Sequence, residues 1–171
     1  MASKFTVLLI AIQIGTLLLA SFADLRARLI PNTACLILAI AGLARALTLG
    51  PMFALTSCAL TAALLLLLLP LHTMRVLGGG DIKLLLSASL GLGPVGVLYL
   101  FEITALAGGV MALLHLPLRK LPRPAMAPAG SSALRRIYAA ERWRILRRAP
   151  LPYGVAIACG GIWTILTHTW S

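Results

Sequence analysis

The acidic side chains are the first clue to chemistry in this chain of 171 residues, because only four of them occur. They are Asp24, Asp81, Glu102 and Glu141. Two carboxyl groups held close together in a low-dielectric site share a proton, since both cannot ionise cheaply there. One can then activate water as a general base while the other acts as a general acid. Any two of the four that meet in the fold are therefore candidates for acid–base hydrolysis.

Other catalytic chemistries find few residues in this sequence. His115 has no adjacent acid or cysteine. His72 is near the Asp81 loop and could touch the site, but a lone histidine at the membrane interface is more often structural. The cysteines lie far apart within apolar segments and form no C-x-x-C pair, which predicts neither a zinc site nor a disulfide framework; they are Cys35, Cys58 and Cys159. We interpret them as small buried hydrophobes and expect no metal and no cofactor.

The composition indicates the medium in which these groups are held. Hydrophobic residues make up 60% of the chain and charged residues 11%, and the mean hydropathy is +0.99. A soluble domain carries about a quarter charged residues. Apolar runs of about 20 residues, enough to cross a bilayer, recur without the alternation of barrel strands. The sequence therefore predicts an all-α, polytopic membrane helical bundle, formed by a single membrane domain over residues 1–171.

Six apolar segments are expected to cross the membrane. They cover residues 5–23, 32–49, 53–73, 82–93, 95–117 and 151–170. The fourth is short, about 18 Å of helix, and the Gly91–Pro94 stretch predicts a turn after it. With six crossings every Lys and Arg except Lys4 and Arg45 falls on one side, as the positive-inside rule requires. The net charge of +11 is therefore explained without nucleic acid, and both termini are expected outside the cell membrane.

The most basic segment is the loop of residues 118–150, which this topology puts in the cytoplasm. Its first part is rich in Pro, Ala and Gly and is typical of a linker. A helix starting at Ser131 or Ser132 and ending near Arg148 is predicted to lie on anionic membrane lipid. A disordered basic loop is the alternative.

Topology brings two of the carboxyl groups to one membrane face. Asp24 follows the first apolar run and Asp81 precedes the fourth, so both lie where the chain meets the cytoplasm. Ionisable groups at such positions are functional candidates by default. Each also has a structural interpretation: Asp81 as an N-cap, and Asp24 as a solvated helix-end residue paired with Arg28. Glu102 lies farther out, within the fifth run, and is expected to be neutral or hydrogen-bonded inside the bundle.

The sequences around the aspartates carry a family resemblance. Asp24 stands seven residues before a Pro-Asn pair, and Asp81 completes a G-x-G-D motif that is followed by a lysine. These motifs resemble the two signatures of the type IV prepilin peptidases, and Leu151–Gly154 is similar to the final segment of that family. The matching positions are Asp24, Pro31, Asn32, Gly78, Gly80, Asp81 and Lys83.

The resemblance implies an aspartic endopeptidase that cleaves the basic leader from prepilin-like precursors at the cytoplasmic membrane face. It implies Asp24 and Asp81 as the catalytic pair. Longer members also methylate the new N-terminus and carry a segment with paired cysteines. This chain resembles the short, peptidase-only form that serves tight-adherence pili, so no use of S-adenosylmethionine is expected.

Supporting roles are expected for the other motif residues. Gly78, Gly79 and Gly80 lack side chains, so the backbone could bend sharply and a substrate strand could approach Asp81. Lys83 could temper the charge of the pair, bind lipid phosphate or simply reach the interface. Pro31-Asn32 is expected to shape the loop and cap the second helix.

Two other functions fit parts of the pattern. A non-enzymatic membrane scaffold or transporter subunit would use the aspartates structurally or along a polar path. An intramembrane protease of the presenilin kind shares G-x-G-D, but the first motif here is of the Pro-Asn type.

Overall fold

Six helices make up the part of the chain that the computed structural model describes, which is residues 4–118 and 151–168. In chain order they are α1 (Lys4–Ala27), α2 (Asn32–Leu49), α3 (Pro51–Thr73), α4 (Gly79–Ser89), α5 (Pro94–Leu118) and α6 (Tyr153–His168). These ranges contain no strand, so the predicted all-α helical membrane bundle is confirmed. The interfacial helix predicted within 118–150 lies outside the described residues, and the single domain over 1–171 stays a prediction.

Glycine and proline set two of the helix boundaries. Gly50 has a φ of 129°, and Pro51 opens α3 directly after it, where its missing N–H costs nothing. Gly91 has a φ of 89°, and Pro94 begins α5. The turn predicted at residues 91–94 is therefore confirmed, and α4 ends at Ser89, four residues before the predicted end of that segment.

Four of the described helices are long and apolar enough to cross a membrane, namely α1, α2, α3 and the first 21 residues of α5. Helix α6 is apolar but shorter, with 16 residues. Helix α4 has 11 residues, about 16 Å of helix, which is too short to span a bilayer by itself. The chain is an integral membrane protein, while six complete crossings and the outside position of both termini stay predictions.

The bundle is apolar on the outside and holds polar side chains within. Leu19, Leu66 and Leu98 are among many large exposed apolar side chains, whereas Gln13 and Ser57 are fully buried. Lipid solvates the apolar exterior, and polar groups are kept away from it. The sequence therefore needs no polar outer surface along most of its length.

Helix α4 lies at the centre of the bundle and packs against α2, α3, α5 and α6. Leu84, Leu85 and Ala88 bury its apolar faces in the core. Helix α6 packs against α1, α4 and α5. As a result the end of α1, the start of α4 and the start of α6 come together at one end of the molecule.

Three residues that are expected from the sequence to be buried are exposed in the structure. Glu102 is exposed on the outer side of α5, between the exposed Leu98 and Leu106, and does not lie inside the bundle. Helix α5 instead buries the opposite side, which carries Val97 and Leu100. Cys35 is buried as expected, but two other cysteines face outward; they are Cys58 and Cys159. These helices are apolar on every side, so the sequence carries no signal for which side faces lipid.

Candidate active site

A cavity of about 460 Å³ lies at the end of the bundle where α1, α4 and α6 meet. Both predicted catalytic residues, Asp24 and Asp81, line it. The other lining residues are Arg28, His72, Arg75, Val76, Leu77, Gly78, Gly79, Leu151 and Tyr153. The fold thus brings the two aspartates to one cavity although they are remote in the chain. Their catalytic role stays a prediction.

Asp24 lies in the last turn of α1 and is almost fully buried, with 6% of its surface exposed. Its Oδ2 accepts a hydrogen bond of 3.0 Å from the backbone N–H of Gly154. A Cβ at position 154 would lie 2.9 Å from that same oxygen, so a larger residue would displace the carboxylate. Asp24 thus lies at the end of α1 as expected, but its burial contradicts the expectation that it is solvated.

Asp81 lies in the first turn of α4, ahead of the apolar part of that helix. The N-cap is Gly78, and no side chain caps this helix, so the N-cap interpretation of Asp81 is wrong. Burial, followed by the charge of Asp24, raises the pKa of Asp81 to about 6, while the charge of Arg28 acts in the opposite direction. The two carboxyl groups therefore interact and have different surroundings.

The three glycines before Asp81 differ in how much space surrounds them for a side chain. None has a positive φ: Gly78 is extended at the N-cap, and Gly79 and Gly80 already belong to α4. The approach of a substrate strand to Asp81 stays a prediction. A Cβ at Gly78 would lie 2.8 Å from Asp81 Oδ2, and a Cβ at Gly79 would lie 3.2 Å from His72 Cε1. At Gly80 the nearest atom would be Ile30 Cβ at 3.5 Å, an ordinary contact. A Cβ at 78 would therefore force the Asp81 carboxyl group to move, whereas a Cβ at 79 would press only on the His72 ring.

The remaining motif residues connect α4 to α2. Lys83 Nζ donates a hydrogen bond of 3.2 Å to Asn32 Oδ1. Asn32 is the first residue of α2, and Pro31 occupies the N-cap position of this helix. No side chain caps the helix, so the capping role expected for Asn32 is wrong. The backbone oxygen of Pro31 accepts the N–H of Ala34 instead. Lys83 and Asn32 thus join the two sequence motifs, and neither lines the cavity of the aspartates.

Several residues at the site have no catalytic role predicted from the sequence. Arg28 and Arg75 bring positive charge to the cavity, and Tyr153 and Gly154 come from the start of α6. The segment Leu151–Gly154 resembles the family's final segment, but this resemblance predicts no role for its individual residues. Gly154 itself gives one local signal, because it lies in the first turn of a helix, where backbone N–H groups lack partners within the helix.

A second, apolar cavity of about 400 Å³ adjoins the first. It runs between α3, α4, α5 and α6 and is lined by Leu68, Phe101, Ile157 and small residues of α5 such as Gly108. Four residues line both cavities; they are Leu77, Asp81, Leu151 and Tyr153. Asp81 therefore stands where a polar cavity meets an apolar one.

Fold and site together define a polytopic helical membrane protein with a pair of carboxyl groups in one cavity. A sequence model of the Type IV leader peptidase family matches residues 11–113, more than half of the chain and a range that includes both aspartates. The chain belongs to this family and is a peptidase. No curated protein and no solved structure matched it.

Proposed function

We propose that the protein is an aspartic endopeptidase that removes the basic leader from prepilin-like precursors, with Asp24 and Asp81 as its catalytic pair. The observation that carries the proposal is the shared cavity, which both carboxyl groups line. The raised pKa of Asp81 beside Asp24 supports a pair that holds one proton between its members. Such a pair hydrolyses a peptide by activating water with one member and polarising the carbonyl with the other.

The two adjoining cavities fit a substrate that changes character at the scissile bond. Leader peptides of this class are followed by an apolar helix. The polar cavity would hold the leader side of the bond, and the apolar cavity would hold the beginning of the apolar segment. The scissile carbonyl would then lie beside Asp81, which both cavities share.

The arginines of the polar cavity restrict which substrate residues can lie next to the scissile bond. Arg28 and Arg75 would repel a basic side chain brought directly against them. Small, uncharged residues such as glycine fit this position better, and the basic residues of the leader would lie farther from the bond. Anionic lipid would then neutralise part of the positive charge around the leader.

The charge distribution supports a cytoplasmic site in the inner (plasma) membrane. Arg26, Arg28, Arg75 and Lys83 lie near the aspartates, at helix ends or in the adjoining turns. Arg45 lies near the far end of α2 and donates a hydrogen bond of 2.8 Å to the oxygen of Gly91. Basic residues favour the cytoplasmic face, which orients the catalytic cavity inward.

Coexpression with a pilin-type precursor tests the proposal. Asp24→Asn and Asp81→Asn should each abolish processing while the protein still inserts, because the amide can neither take nor give the shared proton. Glu102→Gln is the matched control: this exposed carboxyl group does not line the cavity, so processing should continue. Full processing by either aspartate variant would refute the catalytic pair. Absence of processing of any pilin-type precursor by the unaltered protein would contradict the proposed substrate class.

A further inference from the structure

The two carboxyl groups of the cavity are held in different ways. The Asp24 carboxylate accepts the N–H of Gly154, the second residue of the 16-residue helix α6. The N–H groups of a first helical turn lack partners within the helix, and the positive end of the helix dipole lies there. An acceptor on α1 therefore satisfies a donor on α6, and the contact stabilises negative charge on Asp24.

Asp81 also lies in the first turn of a helix, α4. Unlike Asp24, however, its carboxyl group accepts no hydrogen bond from the described residues. Burial disfavours its charged form, and so does the neighbouring charge of Asp24, which together raise its pKa to about 6. The other charged or titratable groups lining the cavity are Arg28, His72, Arg75 and Tyr153.

From this asymmetry we infer that Asp24 is the general base and Asp81 the general acid of the reaction, and that Gly154 is a positioning residue that fixes these roles through its N–H. The inference rests on the proposed function, because it assigns different roles to the two members of the proposed catalytic pair. Gly154 acts through Asp24 and touches neither water nor peptide in the reaction. Its lack of a side chain matters as much as its N–H, because a Cβ would lie 2.9 Å from Asp24 Oδ2 and 3.1 Å from its Cγ.

With these roles the hydrolysis balances. Asp24 takes a proton from water as the water oxygen bonds to the scissile carbonyl carbon, and Asp81 gives its proton to the carbonyl oxygen. Asp24 then passes its proton to the leaving nitrogen as the C–N bond breaks with its electron pair on nitrogen. Asp81 recovers a proton from a hydroxyl of the tetrahedral intermediate, and both groups return to their starting states.

The test of the positioning residue compares Gly154→Ala with Gly15→Ala, where an added Cβ meets nothing within 4 Å. We expect Gly154→Ala to lower kcat roughly ten- to hundred-fold, the range for losing a hydrogen bond to a charged group, with KM little changed. Its pH profile should also change, because the displaced Asp24 carboxylate loses the N–H donor that it has in the unaltered protein. Gly15→Ala should retain the unaltered rate and profile.

Infrared titration of the purified protein tests the roles without relying on Gly154→Ala folding. The carboxyl signal that titrates near pH 6 in the unaltered protein should be absent in Asp81→Asn. In Asp24→Asn it should persist and titrate at lower pH, because the charge that raises the pKa of Asp81 is gone. Loss of this signal in Asp24→Asn and its retention in Asp81→Asn would reverse the roles and overturn the inference.

The outcomes separate this inference from the proposed function. If both aspartate variants are inactive but Gly154→Ala keeps the unaltered kcat and pH profile, the positioning role fails and the peptidase stands. If either aspartate variant cleaves the precursor, the proposed catalytic pair is refuted, and the inference about its roles is refuted with it.

Discussion

At the scale of single residues, the charge of Arg28 opposes the two influences that raise the pKa of Asp81. Replacing Arg28 by an uncharged residue should therefore raise that pKa further above about 6. If Asp81 acts as the acid, activity falls as pH rises through its pKa, so the basic limb of kcat/KM should move to higher pH. Arg28→Asn is the suitable change, because Arg28 has a φ of 55°, which Asn tolerates.

Arg28→Lys is the control for this prediction. It keeps the positive charge, so the basic limb should stay close to its original pH. A basic limb that moves to lower pH in Arg28→Asn would contradict both the sign of the interaction and the acid role of Asp81. The measurement is kcat/KM of a defined precursor peptide across the pH range.

The glycines before Asp81 give a second prediction at this scale. Gly78→Ala would bring a Cβ to 2.8 Å from Asp81 Oδ2, whereas Gly80→Ala would make an ordinary contact of 3.5 Å with Ile30. We expect Gly78→Ala to slow cleavage strongly, because the carboxyl group must move, and Gly80→Ala to slow it much less. Initial rates on one peptide substrate decide this, and equal losses in the two variants would contradict the steric argument.

At the scale of the elements, the turn between α4 and α5 determines where α5 begins. Gly91 has a φ of 89°, and a Cβ there would clash with the backbone oxygen of Gly42 on α2. Its own N–H donates to Ser57 Oγ at 2.7 Å, and its oxygen accepts from Arg45. Glycine is therefore required at the point where α2, α3 and the turn meet.

Gly91→Ala should lower the free energy of unfolding by about 1–3 kcal/mol from the backbone conformation alone, and the clash adds to this loss. Thermal unfolding in detergent is the measurement, with Gly15→Ala as the control in open space. Because the turn lies at the end of α4 away from Asp81, the fraction that remains folded should still cleave substrate. An unchanged melting temperature would contradict this account of the turn.

The helices themselves could largely be predicted from the sequence, because long apolar runs and Gly-Pro turns are local signals. The start of α4 could not, since its glycines favour a loop but enter the helix from Gly79. The outward directions of Glu102 and Cys58 could not be predicted either, because these helices are apolar all round. Both aspartates were found through their motifs, but the contact between Asp24 and Gly154 joins residues 130 apart and leaves no local pattern.

At the scale of the whole molecule, the polar residues of the site lie at one end of the bundle, and the surface along the bundle that faces lipid is apolar. The carboxyl pair, two arginines and a histidine gather in the cavity at one end. The apolar cavity extends from it between α3, α5 and α6. A membrane-anchored substrate could therefore keep its apolar segment within the bundle while its polar end reaches the aspartates.

A double-mutant cycle tests the central claim that Asp24 and Asp81 work as one unit. Cleavage of one precursor peptide, mapped by mass spectrometry, would be timed for Asp24→Asn, Asp81→Asn and the double variant. Residues that act together are strongly non-additive, so each single variant should fall to background and the double variant should be no slower. Substantial cleavage by either single variant, or losses that multiply in the double variant, would contradict the account.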